Sequence, residues 1–453
     1  MAAWGPIVGR VASAIAVESM STVLEAGSEV SVLVTSRTAR PTDLVAFSMV
    51  LIVEEWVIAS AGAMVLGATP FVLARGSESP RKRAAMERSL SLVAAVTAAV
   101  AAAAMLAAAP LLRALEQPEE AAELMGRAAP LLCLTVVPAL LSRFAEQTLA
   151  AADAWGFSST LGVASAVVKP AAFWLLYRAW GVDGYAAASV LAEAAYCCLA
   201  LAGVAITRAE ADGATAAEAL LPVLVGAPWA DLAEARAAAG AGASALLEAV
   251  SGLWSYYFVY LHAAAASASH VLAFRVVEGI AWPVITVSSD AVEASAAVAA
   301  TEAARSKRGP ALALGSAAAI LAALCTAGAA AAAATPASLL AWPVLDEDGL
   351  SGGWSSAVEE GKWLVVAALL VHVLDCARMC AAALLRVAGG GAVPAAAAAA
   401  ALAVVGPAAV YLSEWAQGAR VSAAAAIAAR ALGVCTSLAV LWHGLGRARS
   451  KQD

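Results

Sequence analysis

The sequence predicts an all-α membrane protein with twelve transmembrane helices in two pseudo-symmetric six-helix lobes, and three observations carry that prediction. The 453 residues are 62% hydrophobic and only 13% charged, with a mean hydropathy of +0.82. That composition leaves too little polar surface to cover a soluble globule. Ala166-Val167-Val168-Lys169-Pro170-Ala171-Ala172, followed by Leu175 and Gly181, recurs as Ala403-Val404-Val405-Gly406-Pro407-Ala408-Ala409, followed by Leu412 and Gly418, at an offset of 403 − 166 = 237 residues. A duplicated half in an apolar chain points to a transporter of two repeats, whose substrate and ion sites lie where the halves meet. The richest basic loops, 75–88 and 305–308, recur at equivalent places in the two halves.

A membrane-spanning helix needs about 20 apolar residues. Apolar stretches place helices near 11–34, 44–74, 88–112, 128–152, 160–178 and 185–207. After a polar, acidic segment come stretches near 236–262, 268–304, 309–335, 362–386, 392–413 and 421–445. The expected organisation is an N-terminal lobe over 1–207, a cytoplasmic connector over 208–235 and a C-terminal lobe over 236–453. Because no segment alternates apolar and polar residues over a useful length, β structure is not expected. The first apolar run contains Glu18 and Glu25 and lacks a small-residue cleavage site after a short core, so it reads as a span.

Lys and Arg in short loops set orientation. With the N-terminus cytoplasmic, that side collects fifteen basic residues, among them Arg75, Arg81, Lys82, Arg83, Arg305, Lys307 and Arg308, against seven opposite. Both termini are therefore expected in the cytoplasm. The net charge of −7 sits partly in acidic loops such as Asp346-Glu347-Asp348 and leaves no footprint for nucleic acid. All seven cysteines lie in apolar stretches without a C-x-x-C pair, which favours small buried side chains over disulfides or metal. Asn is absent and Arg far outnumbers Lys, a pattern of GC-rich coding bias that makes the alanine runs weak evidence of disorder.

Three segments in order carry a family resemblance. They are Leu115-Glu116-Gln117-Pro118-Glu119-Glu120 before span four, Gln147-Thr148-Leu149-Ala150-Ala151-Ala152-Asp153-Ala154-Trp155-Gly156 after it, and Trp180-Gly181-Val182-Asp183-Gly184-Tyr185-Ala186-Ala187-Ala188 leading into span six. Together they resemble the multidrug and toxic compound extrusion (MATE) family of the wider flippase superfamily, best over about 110–205. The resemblance implies two rocking lobes and an acidic cation or proton site on helices seven and ten of the C-terminal lobe. Glu248 and Asp375 fall at those places. A chain without Asn cannot supply the Asn groups usual in that family's cavity, and buried glutamates partly replace them.

Ionisable groups at membrane depth are costly and by default mark function. Glu18, Glu25 and Glu29 share one helix face through spacings of seven and four. Glu54 and Glu55 are adjacent and cannot share a face, so one is expected in the cavity and the other paired. Arg143, Glu146 and Lys169 read as mutual neutralisation. Glu193 and Arg430, each alone in its span, are related by 430 − 193 = 237. Asp375 lies between His372 and Arg378 at i±3, and an ion pair with Arg378 weighs equally with a coupling role. In span eight, Arg275 and Glu278 precede Pro283 and Asp290 and Glu293 follow it, with Glu293 expected near the cytoplasmic surface.

The expected ion- or proton-coupling residues are thus Glu248, Asp375, Glu18 and Glu25. The expected substrate cavity holds Glu29, Glu54, Glu278, Trp254, Tyr257 and His372, the aromatic faces suiting a cation. No phosphate loop, H-E-x-x-H or G-x-S-x-G is present, so neither an enzyme nor an ATP-driven pump is expected. No cofactor is expected, only a proton or sodium as coupling ion. The reading is a secondary antiporter exporting an organic, cationic or amphipathic solute, with the lipid bilayer and that solute as partners. Its rivals are a transport-inactive subunit of a larger membrane complex and a flippase for lipid or polysaccharide precursors.

Overall fold

The computed structural model describes residues 5–16, 41–76, 79–114, 119–152, 154–213, 215–264, 268–303, 305–306, 308–340, 354–388, 392–418 and 421–449. Among them the chain is helical throughout, with no strand. In order, the helices are α1 (Gly5–Ala16), α2 (Pro41–Gly76), α3 (Pro80–Ala114), α4 (Glu119–Ala151), α5 (Trp155–Asp212) and the short α6 (Ala216–Leu224). A 3-10 turn over Ala227–Trp229 leads to α7 (Leu232–Ala264), α8 (Ala268–Ala303), α9 (Gly309–Ala334), the single turn α10 (Ala337–Leu340), α11 (Trp354–Val387), α12 (Ala392–Gln417) and α13 (Ala423–Arg449). Eight of these helices are long and apolar enough to cross a membrane.

The internal repeat governs the backbone as well as the sequence. Helix α5 is broken by non-helical Gly181 (φ 60°, ψ −135°). Its two parts match α12 and α13, because 392 − 155 and 449 − 212 both equal 237, and Gly418 (φ 64°) stands where Gly181 does. Positive φ at both sites is the reason for glycine, since a Cβ there meets its own backbone. Helices α2 and α8 match at another offset, 268 − 41 = 303 − 76 = 227. The ten-residue change in offset accrues between α8 and α12, where α9 and α11 are separated by a longer stretch than α3 and α4.

The chain divides into two compact units. One comprises Ala16–Leu246 with Ala300–Lys307, the other Met1–Ile15, Leu247–Ala299 and Arg308–Asp453. In the first, α2, α3, α4 and α5 pack together, with Met105, Met125, Leu132, Phe173 and Tyr185 in one core and Leu90, Phe144 and Val65 in another. In the second, α9 packs on α11 and α13 lies on both α11 and α12, around Leu385, Ala398 and Leu441. Outward faces are apolar too: Val96, Val100, Leu106 and Leu111 on α3 and Leu134 and Val137 on α4 are all exposed. Such a surface suits hydrocarbon rather than water.

The connector is folded rather than extended. Thr215 caps α6 in a reciprocal box, its hydroxyl accepting from the Glu218 N–H while the Glu218 carboxylate accepts from the Thr215 N–H. Arg208 is buried, donating to Glu87 on α3 and, at 2.6 Å, to the Ala219 carbonyl on α6. Asp231 accepts from the Ala233 N–H at 2.8 Å at the start of α7, and Arg75 reaches Glu234 at 2.9 Å. Cys198 and Cys435, expected to be buried, are exposed and lie 435 − 198 = 237 apart, equivalent positions on outward faces of their units.

Candidate functional site

Helix α11 brings most of the charge together. His372, Asp375, Arg378 and Arg386 lie on it at spacings of three, three and eight, which keeps them on one side of the helix over about 20 Å of its length. Asp375 Oδ1 accepts from Arg378 Nε at 2.6 Å, and its Oδ2 accepts from Arg430 Nη2 of α13 at 2.9 Å. Arg378 Nη1 continues to Glu248 Oε1 on α7 at 3.0 Å. The other oxygen of Glu248 accepts from Arg386 Nη1 at 2.7 Å, and the second amino group of Arg386 donates to Glu293 on α8. The result is a continuous chain, Arg430–Asp375–Arg378–Glu248–Arg386–Glu293, carried by four helices.

The six charges cancel, three carboxylates against three guanidiniums. All sit in otherwise apolar helices, and Asp375, Arg378 and Arg430 are buried. Neutrality of this kind is what a low-dielectric interior demands, because an uncompensated ion there costs several kcal/mol. Arg430 also lies over the Tyr256 ring, 5.4 Å from its centre. Two contacts were not apparent from the sequence. Arg430 is not a lone charge, and Glu293 pairs with Arg386.

Glu248 and Asp375 therefore come together through one arginine. His372 is fully buried with its Nδ1 3.8 Å from Asp375 Oδ2, too long for a hydrogen bond. Trp254 is half exposed and its indole N–H donates to the Ala403 carbonyl at 3.1 Å, tying α7 to α12. Tyr257 and Glu278 lie in α7 and α8, where their side chains are outside the described set. Glu18, Glu25 and Glu29 lie outside the described residues.

The other unit carries a smaller polar set. Glu54 is buried and accepts from the Tyr185 hydroxyl, whose ring lies 5.3 Å from that of Phe173. Arg143 bonds Glu146 at 3.3 Å, and Glu146 accepts from Tyr196 at 2.5 Å. That pair is two members of the mutual neutralisation expected of Arg143, Glu146 and Lys169; the Lys169 side chain lies outside the described set. Arg143 and Arg378 are repeat equivalents, since 378 − 143 equals the 354 − 119 = 235 that separates the starts of α4 and α11. Each pairs with an acid three residues away, on opposite sides.

No protein-family model and no curated protein matches the sequence. Solved structures do. An outward-facing multidrug resistance MATE transporter of the MOP superfamily aligns with 99% of this chain and 97% of its own, at TM-score 0.75 and 14% identity. The Vibrio cholerae MATE transporter VcmN, as a point variant, aligns with 99% of each chain at TM-score 0.75 and 13% identity. A MOP superfamily transporter from Pyrococcus furiosus, described with a binding pocket of reversed polarity that suggests a different function, aligns with 99% and 97% at TM-score 0.74 and 14% identity. With these matches running nearly end to end, the chain has the fold of the MATE transporters.

Proposed function

We propose that the chain is a secondary active antiporter that exports organic, cationic or amphipathic solutes in exchange for protons or sodium, with both termini cytoplasmic. The fold supports a transporter. The observation that carries the coupling reading is Glu248, a carboxylate in an apolar helix held between two guanidiniums by one oxygen each. Adding a proton or a sodium ion to Glu248 weakens both ion pairs together and leaves Arg378 to Asp375 and Arg386 to Glu293, the carboxylates they already hold. A carboxylate that bridges two guanidiniums thus makes a two-state element, bridge closed or open, that an ion can bias. Glu18, Glu25, Glu29, Glu54, Glu278, Trp254, Tyr257 and His372 are the cavity and coupling groups proposed to complete the pathway.

Two observations favour other readings. Pairing of both Glu248 and Asp375 suits a transport-inactive structural subunit of a larger membrane complex. Three guanidiniums in one apolar unit, once released from their carboxylates, would also suit an anionic headgroup, the chemistry of a lipid or polysaccharide-precursor flippase.

The test is efflux from proteoliposomes under an imposed pH or sodium gradient, with ethidium as the cationic probe and a fluorescent anionic lipid as the rival. Gradient-dependent ethidium efflux, lost in Glu248→Gln while the protein stays folded, is the expected result. Normal efflux by both Glu248→Gln and Asp375→Asn moves the coupling site to the Glu18, Glu25 and Glu29 face. Lipid movement without ethidium efflux selects the flippase. No flux from folded protein selects the structural subunit.

A further inference from the structure

One cluster shares only His372 with these readings, and its two thiols are used by none of them. Cys325 on α9 and His372 and Cys376 on α11 are all buried, and their ligand atoms lie within 4.8 Å of one another. Both ring nitrogens of His372 lack a hydrogen-bond partner among the described residues. A fully buried imidazole with two unanswered polar atoms is costly, and buried polar groups are normally satisfied. Neither thiol is oxidised. Ser288 on α8 stands beside both sulfurs, its hydroxyl donating to the Val284 carbonyl at 2.8 Å.

We propose that Cys325, His372 and Cys376 form a structural site for a thiophilic divalent cation, zinc, that clamps α9 to α11. The donor set fits: two thiolates and one imidazole are the soft and borderline ligands zinc takes tetrahedrally, with Ser288 Oγ beside the sulfurs for the fourth position. The His-x-x-x-Cys spacing puts both α11 ligands on one face a single turn apart.

Charge also balances. Binding replaces two thiol protons, Zn2+ + 2 RSH giving Zn(SR)2 + 2 H+, so the buried site gains no net charge beside a network that is itself neutral. A monovalent ion on the same two thiolates would leave an uncompensated negative charge in the apolar interior. A disulfide between Cys325 and Cys376 would leave His372 unsatisfied.

The test uses the full chain purified in detergent from zinc-supplemented cells. Metal analysis should find about one zinc per chain, and X-ray absorption at the zinc edge should find two sulfur ligands at about 2.3 Å. Replacing zinc with cobalt should give a thiolate-to-cobalt charge-transfer band at one equivalent, lost in Cys325→Ser and Cys376→Ser and retained in Cys380→Ser and Cys435→Ser. The absorption measurement needs no variant, so a variant that fails to fold leaves the proposal exposed. Zinc without sulfur ligands, a band that survives in the Cys325→Ser/Cys376→Ser double variant, or no zinc in folded protein would overturn it. A Cys325–Cys376 disulfide in a non-reducing peptide map would do so as well. None of these outcomes depends on whether the protein transports.

Discussion

Arg430 and Asp375, 55 residues apart, are joined by a 2.9 Å hydrogen bond between buried groups of α13 and α11. Both groups are buried, so each is the other's compensating charge. Removing the guanidinium in Arg430→Gln should therefore destabilise the protein by about 3–5 kcal/mol, the usual effect of leaving one half of a buried pair. Combining it with Asp375→Asn should cost less than the two single changes together, with a coupling of roughly 0.5–3 kcal/mol. Denaturant unfolding of the four proteins in detergent measures this, and strict additivity would show that the bond contributes nothing.

Arg386 divides its two amino groups between Glu248 and Glu293. Lysine is a single point charge and cannot hold both carboxylates in that forked geometry. Arg386→Lys should cost about 1–3 kcal/mol, as loss of a charged hydrogen bond does. The exposed pair Arg113–Glu119, at 2.8 Å, is the control. Arg113→Lys should change stability by less than about 1 kcal/mol, because solvent screens such pairs. Equal effects at the two arginines would count against a shared, forked network.

Gly181 and Gly418 hold positive φ at repeat-equivalent breaks with open space around each. Alanine meets no neighbour there, so the cost is purely conformational. Gly181→Ala and Gly418→Ala should each destabilise by about 1–3 kcal/mol. Gly240 is helical and also has open space, so Gly240→Ala should be neutral or stabilising by up to about 1 kcal/mol. Thermal unfolding in detergent distinguishes the sites, and similar behaviour at all three would mean the breaks carry no backbone constraint.

What the sequence made legible follows from these cases. The repeat was readable because proline and glycine mark backbone geometry, and both survive at a fixed offset. Span positions were readable because the bilayer imposes a length on apolar runs. The local pairs Arg143–Glu146 and Asp375–Arg378 follow from helical spacing alone. Contacts between helices do not, because spacing says which residues share a face but not which helix that face meets. Arg430–Asp375, Arg386–Glu293 and Tyr185–Glu54 are all of that kind. The Cys325–His372–Cys376 cluster was hidden for the same reason, its ligands being 372 − 325 = 47 residues apart with no compact motif.

The connector supplies a prediction on pH. The Thr215 N–H and hydroxyl both donate to the Glu218 carboxylate, and these bonds favour the ionised form, which lowers the Glu218 pKa below the ordinary glutamate range. A carboxyl whose folded value lies below its unfolded one binds fewer protons in the folded state. Its contribution is therefore present above the unfolded value and is lost as pH falls through the folded one. Protonation removes the charge that strengthens the acceptor for the Thr215 N–H and so weakens the bond that closes the capping box. Hydrogen exchange over 216–224, corrected for intrinsic rates, should show stronger protection in the native protein than in Glu218→Ala at neutral pH. That difference should shrink on acidification and vanish below the folded value. A difference that persists unchanged into acid would mean that the carboxylate charge is not what holds the helix start.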